Sequence, residues 1–220
     1  MKVVYEDNHL LAVIKPAGVL TQDSGRDEVS LEDEAKAWIK EKAEKPGNVF
    51  LHAIHRLDRP VSGIVVFAKT SKALSRLHEA IRNKQVTRKY LALVEGGPKE
   101  SEGTLRHYLS HDKHQAISSI EGKECVLNYR ATKRFPEHTL LDIQLETGRY
   151  HQIRAQTSLS GFPIVGDLRY GAKTHWDGPG IALHHFQFQF THPTTKEQIT
   201  LFGPFPQEGW GKWQEHLPKA

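Results

Sequence analysis

The stretch His52–Thr70, HAIHRLDRPVSGIVVFAKT, places one aspartate among arginines immediately before an apolar strand. Asp58 lies between Arg56 and Arg59, and the Pro-Val-Ser-Gly run after them predicts a turn. The continuous apolar run Ile64–Ala68 has the length of a buried strand. One interpretation is a surface turn that carries an ion pair. The other is a carboxylate positioned for catalysis, and the rest of the sequence decides between them.

Helix signals flank this stretch on both sides. Ser30 predicts a helix N-cap, with Asp33 at the capping-box position, and Ser71 predicts the cap of a second helix. Pro46-Gly47 is expected to stop the first helix, and a third helix is expected after Gly148. These helices are few compared with the strands.

Strand signals cover most of the remaining chain, and hairpins connect many of them. This pattern predicts an α+β fold, a curved, mixed and mainly antiparallel sheet with flanking helices, within a single domain over residues 1–220. The predicted strands are Val3–Tyr5, Leu10–Ile14, Ile64–Ala68, Lys89–Glu95, Thr104–Leu109, Val126–Arg134, Thr139–Glu146, Ile181–Phe190 and Gln198–Phe202.

Composition is that of a folded protein outside the membrane. Apolar residues make up 38% and charged residues 25% of the 220 positions. The longest apolar run, Leu10–Ile14, is too short to span a bilayer, and the N-terminus lacks the apolar core of a signal peptide. Cys125 is the only cysteine, so an intrachain disulfide cannot form. We therefore expect a cytoplasmic protein with no membrane partner.

Positive charge is concentrated in one segment. The net charge is 30 − 26 = +4, and residues 76–90 hold five Lys or Arg against one Glu. Such a segment is typical of a surface that meets phosphates, although a solvated helix face explains it equally well.

The sequence contains only incomplete matches to cofactor-binding and metal-binding motifs. Gly166–Thr174 resembles a phosphate-binding loop, but Ala172 stands where that loop requires lysine. The fourteen histidines include two clusters with nearly ligand-like spacing, but no His-Glu-x-x-His is present. We expect neither a metal nor a cofactor. The clusters are His107, His111 and His114, and His184, His185 and His192.

Five separated stretches carry unusual combinations of residues. They are Lys15-Pro-Ala-Gly18, His55-Arg-Leu-Asp-Arg-Pro-Val-Ser-Gly63, Arg88-Lys-Tyr-Leu-Ala-Leu-Val-Glu-Gly96, Thr147-Gly-Arg-Tyr-His-Gln-Ile-Arg154 and Gly161-Phe-Pro-Ile-Val-Gly-Asp-Leu-Arg-Tyr-Gly171. In this order the set resembles the RluA-like family of RNA pseudouridine synthases over nearly the whole chain. The second and fourth stretches are highly specific. The resemblance implies the catalytic domain without the N-terminal S4-type module that some relatives carry.

The resemblance implies an activity and a catalytic set. The activity is isomerisation of specific uridines in rRNA or tRNA to pseudouridine, with the target base flipped out of its stack. Asp58 is implied as the essential carboxylate, with Arg154 as its partner and Tyr90 as the ring that stacks on the uracil. We expect the guanidinium to lower the pKa of Asp58. Attack on a carbon and removal of a ribose proton both remain open for this carboxylate.

Further residues are implied to bind RNA. Arg56 resembles the residue that fills the vacated space, and Leu183 would close the apolar wall of the pocket. His55 and Arg59 would shape the loop or touch phosphate. No protein partner is evident, and a monomer is expected. Candidates for contacts with the RNA backbone are Lys15, Arg76, Arg82, Lys84 and Arg88.

Two other functions are compatible with parts of the sequence. A non-catalytic RNA-binding module would need only the positive segment. A glycoside hydrolase would pair Asp58 with Asp142 or Asp167 as acid and base. Neither accounts for the joint presence of Asp58, Tyr90 and Arg154.

Overall fold

The strands form one mixed sheet. The structure is a computed structural model that describes residues 1–23, 25, 28–44 and 47–218. The strands in these residues are β1 (Lys2–Glu6), β2 (Leu10–Lys15), β3 (His52–Ala53), β4 (Ser62–Ala68), β5 (Thr87–Glu95), β6 (Glu102–Asp112), β7 (Gln115–Ser118), β8 (Lys123–Arg134), β9 (His138–Leu145), β10 (Leu183–Thr191) and β11 (Gln198–Phe202).

The order of the strands brings distant parts of the chain together. The sheet runs β1-β2-β4-β10-β5-β9-β8-β6-β7, while β3 pairs with β4 and β11 with β10. Only β4 and β10 pair in parallel among the described strands, and the other pairs are antiparallel. The predicted α+β class with a mixed, mainly antiparallel sheet is confirmed. The short strands β3 and β7 were not predicted.

Three helices flank the sheet: α1 (Leu31–Lys42), α2 (Ser71–Arg82) and α3 (Gln152–Leu159). Shorter helical segments are Leu168–Tyr170, Gln207–Trp210 and Gly211–His216. Among the described residues, no helix is both long and apolar enough to cross a membrane.

The predicted N-cap is confirmed for α1 and wrong for α2. The Ser30 side chain accepts from the Asp33 N–H and the Asp33 carboxylate from the Ser30 N–H, the reciprocal capping predicted for α1. The predicted Ser71 cap is wrong. The Thr70 side chain caps α2, and Ser71 is the first helical residue. The predicted stop at Pro46-Gly47 falls partly outside the described residues, since Pro46 is not described.

Strand β4 is buried on both faces. Ile64 and Val66 point to the side on which Ala73 and Leu77 of α2 pack, and Val65 and Phe67 point to the side of α1. This alternation follows the two-residue period of a strand. Burial on both faces explains why Ile64–Ala68 is a continuous apolar run.

Gly63 sets the junction of β4 with β10. Its φ is +130°, and a Cβ at this position would lie 2.4 Å from the carbonyl oxygen of His185. No other residue fits such an approach between backbones. The junction places the start of β10 beside the turn that carries Asp58.

Candidate active site

One cavity collects the predicted site residues. Its volume is about 1140 Å³, slightly above the roughly 300–1,000 Å³ typical of small-molecule pockets. All seven residues that the resemblance implied line it: His55, Arg56, Asp58, Arg59, Tyr90, Arg154 and Leu183.

The Asp58 turn is held by backbone and side-chain hydrogen bonds. The Val61 N–H donates to the Asp58 carbonyl at 3.0 Å, which closes the turn. The Thr21 hydroxyl donates to the Leu57 carbonyl at 2.9 Å and accepts from the Leu57 N–H at 3.1 Å. Asp58 is therefore fixed from both sides before any substrate arrives.

Lys15 is part of this support and does not reach the surface. Its side chain is fully buried, and its Nζ donates to the carbonyls of Pro16 at 3.0 Å, Val19 at 2.7 Å and Arg59 at 3.2 Å. Burial lowers the pKa of Lys15 to about 7. The prediction that Lys15 contacts RNA phosphate is wrong, because its ammonium ties the Lys-Pro-Ala-Gly loop to the Asp58 turn.

Arg154, on α3, joins two carboxylates. Its Nη1 lies 3.2 Å from Asp58 Oδ2, the pairing that the resemblance implied. Its Nε and Nη2 donate to the two oxygens of Asp167 at 2.7 and 2.8 Å. Arg154 and Asp167 are 4% and 1% exposed, so this bidentate pair is shielded from water.

The pKa of Asp58 differs from the one expected from the sequence. Burial raises the pKa of Asp58 above its usual value, and the charge and hydrogen bond of Arg154 offset only part of the rise. The expected lowering is therefore wrong, since the sequence did not reveal how far the surrounding cavity shields the Asp58 carboxylate from water. Burial opposes the charge on Arg154, but the hydrogen bonds to Asp167 and the charge of Asp58 raise the pKa of Arg154.

His151 is a member of the site that the sequence reasoning missed. Its Nε2 lies 3.6 Å from Asp58 Oδ2, and its Nδ1 lies 2.9 Å from the Tyr170 hydroxyl oxygen. The Tyr150 ring stacks on the imidazole with 3.8 Å between centroids. Burial, followed by the charges of Arg154 and Arg169, lowers the pKa of His151 to about 3. Its place within the specific stretch Thr147–Arg154 was the signal available.

Tyr90 lines the cavity and has further aromatic rings packed against it. The His185 ring is nearly parallel to Tyr90 at 4.5 Å between centroids and meets His55 edge-on at 5.2 Å. His55 in turn stacks on Phe188 at 4.9 Å. Burial raises the pKa of Tyr90 to about 12, so its hydroxyl stays neutral at physiological pH. Leu183 is 2% exposed and also lines the cavity.

The other basic candidates are placed differently from one another. Arg56 is exposed at the cavity, whereas Arg59 donates from Nε to the Gly18 carbonyl and pairs with Glu28 at 3.2 Å. Arg88 lines the cavity but is only 8% exposed. Outside the cavity lining, Arg76 donates to the Pro193 carbonyl, and Arg82 and Lys84 are exposed.

The geometry disfavours the glycoside hydrolase. Asp167 holds Arg154 with both oxygens and is buried, so neither oxygen is available as a second catalytic carboxylate. Asp142 does not line the cavity, and it pairs with Lys89 at 3.5 Å and Arg130 at 3.6 Å. Retaining and inverting glycosidases both need two accessible carboxyl groups facing one bond.

Comparison with known proteins identifies a family. Residues 9–159 match the family model described as RNA pseudouridylate synthase. A Bacillus subtilis (strain 168) protein named uncharacterized RNA pseudouridine synthase YlyB is 34% identical over 212 residues, covering 94% of this chain and 70% of that protein. Ribosomal large subunit pseudouridine synthase C of Buchnera aphidicola subsp. Schizaphis graminum (strain Sg) is 34% identical over 215 residues, covering 92% and 66%.

A solved structure shares the fold. The structure titled human RNA pseudouridylate synthase domain containing 4 superposes with a TM-score of 0.77 at 20% identity, covering 94% of this chain and 89% of that one. The matched residues and the identity to the relatives place the chain in a family. The chain belongs to the RNA pseudouridylate synthase family, and the resemblance stated from the sequence is confirmed.

Proposed function

We propose that the protein converts specific uridines of rRNA or tRNA to pseudouridine, with Asp58 as the essential carboxylate. The supporting observation is the ion pair of Asp58 with Arg154 at the cavity that Tyr90 also lines. In this proposal the chain acts as a monomeric, cytoplasmic catalytic domain over residues 1–220. The names of the relatives support RNA as the substrate class.

The reaction rearranges one nucleoside. The bond from uracil N1 to ribose C1′ breaks, the base rotates, and a bond from C5 to C1′ forms. The C5 hydrogen leaves as a proton and N1 takes up a proton, so the product is an isomer of uridine. Nothing is oxidised or reduced overall. Asp58 either attacks a carbon of the nucleoside or removes a ribose proton, and both routes use the ionised carboxylate.

In this proposal the target base leaves its stack to enter the cavity, which costs a few kcal/mol. Stacking on Tyr90 repays part of this cost, since base–aromatic stacking contributes about 1–3 kcal/mol. In this proposal Arg56, which is exposed at the cavity, occupies the space that the base vacates.

Mapping of pseudouridine tests the proposal. Total RNA from cells that lack the gene is treated with wild-type protein or with Asp58→Asn. Primer extension after pseudouridine-specific modification then locates the product. We expect new pseudouridines at defined positions with wild-type protein, and at least about 10²-fold slower formation with Asp58→Asn.

Asp177→Asn is the matched control, because Asp177 is exposed, pairs with Lys212 and does not line the cavity. It should retain wild-type activity. Salt-sensitive binding of RNA without any product would instead identify a non-catalytic RNA-binding module. Equal product from wild-type protein and Asp58→Asn would reject Asp58 as the essential group.

The pH dependence provides a second test. Because burial raises the pKa of Asp58, the ionised form is lost at a higher pH than for an exposed aspartate. The single-turnover rate should therefore rise with pH through an apparent pKa above the ordinary aspartate value, about 3.9. A rate that is flat down to that value would contradict the requirement for the ionised Asp58.

A further inference from the structure

His151 has a place in the cavity that the proposed chemistry does not yet use. It directly precedes α3 and is 7% exposed, with its imidazole between Asp58 and Tyr170. The Tyr150 ring covers one face of the imidazole, with an interplanar angle of 17°. Two tyrosines and the Asp58 carboxylate therefore define the orientation of this ring.

The hydrogen-bond partners fix which imidazole nitrogen carries the hydrogen. The Ala116 N–H donates to the Tyr170 hydroxyl oxygen at 2.8 Å, so this oxygen accepts from the backbone. Tyr170 is 8% exposed, and His151 Nδ1 at 2.9 Å is the acceptor available to the hydroxyl hydrogen. A neutral imidazole that accepts at Nδ1 carries its hydrogen on Nε2.

The Nε2–H faces an oxygen that is already engaged. Both Arg154 Nη1, at 3.2 Å, and His151 Nε2, at 3.6 Å, approach Oδ2 of Asp58. Oδ1 accepts no hydrogen bond from the part of the chain that the structure describes. Contacts of this kind are often long in the free enzyme and tighten in the complex.

We propose that His151 is a positioning residue whose Nε2–H, together with Arg154, holds Oδ2 of Asp58 so that Oδ1 meets the target nucleoside. This inference rests on the proposed function. It links Ala116 at the edge strand β7 to the reacting carboxylate through Tyr170 and His151.

The backbone at His151 makes a crossed test possible. Its φ is +51°, in the left-handed region, where asparagine is tolerated better than glutamine. The glutamine amide nitrogen, however, reaches the place of Nε2, whereas that of asparagine reaches only the place of Nδ1. A role in the backbone alone therefore favours His151→Asn, and a role as donor to Asp58 favours His151→Gln.

Steady-state kinetics on an RNA carrying a site mapped with wild-type protein separates these roles. A hydrogen bond to a charged group contributes about 1.5–3 kcal/mol, so loss of the donor should lower kcat about ten- to 150-fold. We expect this loss in His151→Asn, a smaller one in His151→Gln, and little change of KM in either. Tyr170→Phe should give an intermediate loss, because Nδ1 then loses its donor.

Equal or higher kcat in His151→Asn than in His151→Gln would overturn the inference, as would a change confined to KM. ¹⁵N NMR of the wild-type imidazoles provides a readout that needs no variant to fold, with the His151 resonance assigned through its correlations to the backbone of the labelled wild-type protein. A hydrogen on Nε2 is expected, and a hydrogen on Nδ1 would overturn the proposal. If wild-type protein forms no pseudouridine, the proposed function fails. If it does and the His151 variants match it, only this inference fails.

Discussion

Two walls of the cavity are built on different principles. We call Asp58, His151, Arg154 and Asp167 the charged wall. Its members are joined by directional polar contacts between 2.7 and 3.6 Å. Three nitrogens of Arg154 contact the two carboxylates. Each side chain in it fixes the orientation of another.

We call Tyr90, His185, His55 and Leu183 the aromatic wall. Ring contacts join its three aromatic members, and at this wall three buried polar atoms have no hydrogen-bond partner within the described residues: His55 Nδ1, Arg88 Nε and His185 Nε2. Packing tolerates small changes of shape, whereas a buried ion pair does not tolerate loss of one partner. The charged wall should therefore fail abruptly on substitution, and the aromatic wall gradually.

The largest expected effect is on the charged wall. Asp167→Ala leaves Asp58 as the one ion-pair partner of the buried Arg154 among the residues that the structure describes. Removing one member of a buried pair costs about 3–5 kcal/mol, so the free energy of unfolding should fall by that amount in chemical denaturation. Arg154 also loses the bidentate bond that orients it, and pseudouridine formation should decrease in whatever protein remains folded.

Glu124→Gln is the control for this measurement, because Glu124 pairs with Arg106 and both side chains are about half exposed. An exposed pair contributes about 0–1 kcal/mol. A loss for Asp167→Ala no greater than that of the control would remove the distinction between the two walls.

The aromatic wall should lose function in steps that follow ring size. Tyr90→Phe retains the ring over His185, and Tyr90→Leu removes it. Base–aromatic stacking contributes about 1–3 kcal/mol, so kcat/KM should fall about five- to 150-fold for Tyr90→Leu and much less for Tyr90→Phe. Equal losses in both variants would show that the hydroxyl, and not the ring, carries the role of Tyr90.

One member of each wall, Asp58 and His185, responds to pH with the opposite sign to the other, while His151 of the charged wall has a lowered pKa like that of His185. Burial lowers the pKa of His185 to about 3, so between about 3 and the ordinary histidine value the unfolded chain binds the extra proton. Stability should fall by about 1.4 kcal/mol per pH unit as the pH drops through this window. The pKa of Asp58 is raised, so its protonation at low pH favours the folded state instead.

The substitution His185→Phe isolates the contribution of His185 to the pH dependence of stability. The variant retains a ring against Tyr90 but cannot bind the proton. Its free energy of unfolding, measured at pH 7.5 and at pH 5, should change less with pH than that of wild-type protein. An unchanged slope would show that His185 does not supply the acid sensitivity of the aromatic wall.

The sequence predicted the fold where local signals were sufficient. Alternation, apolar runs and the Ser30 capping box predicted most strands and the start of α1. The two-residue β3 and four-residue β7 are too short for such a pattern. The pairing of β10 between β4 and β5 joins segments more than 90 residues apart, and no local signal specifies it.

The sequence motifs predicted which residues meet at the site, but they did not predict which of these residues are buried. Asp58 and Arg154 lie in the two highly specific stretches and Tyr90 in a third, and the structure brings all three residues to one cavity. Lys15 was a candidate for contact with the RNA backbone, whereas it is buried and its Nζ donates to three carbonyls in the interior, where lysine is rare. The direction of the Asp58 pKa was missed for the same reason. Burial is a property of the assembled layers, and a motif does not report it.

The smallest expected effect is at the rim, where Arg56 and Arg59 flank Asp58 and provide a matched pair. Arg59 is bound to the Gly18 carbonyl and to Glu28, whereas Arg56 has no ion pair with any residue that the structure describes. Each arginine that neutralises one phosphate contributes about 0.9 to the slope of log K against log salt. Arg56→Gln should therefore reduce the salt dependence of RNA binding by about one contact.

Arg59→Gln should reduce the salt dependence less, because Glu28 already balances its charge. The test measures binding of the RNA fraction that wild-type protein modifies, from low to high salt. Each arginine substitution is combined with Asp58→Asn to prevent turnover, and the two slopes are compared. Equal slopes for the two variants would mean that Glu28 does not hold Arg59 when RNA is bound. Arg56 and Arg59 would then act as one positive surface. The contrast between parts that fail abruptly and parts that fail gradually on substitution would apply only to the charged wall and the aromatic wall.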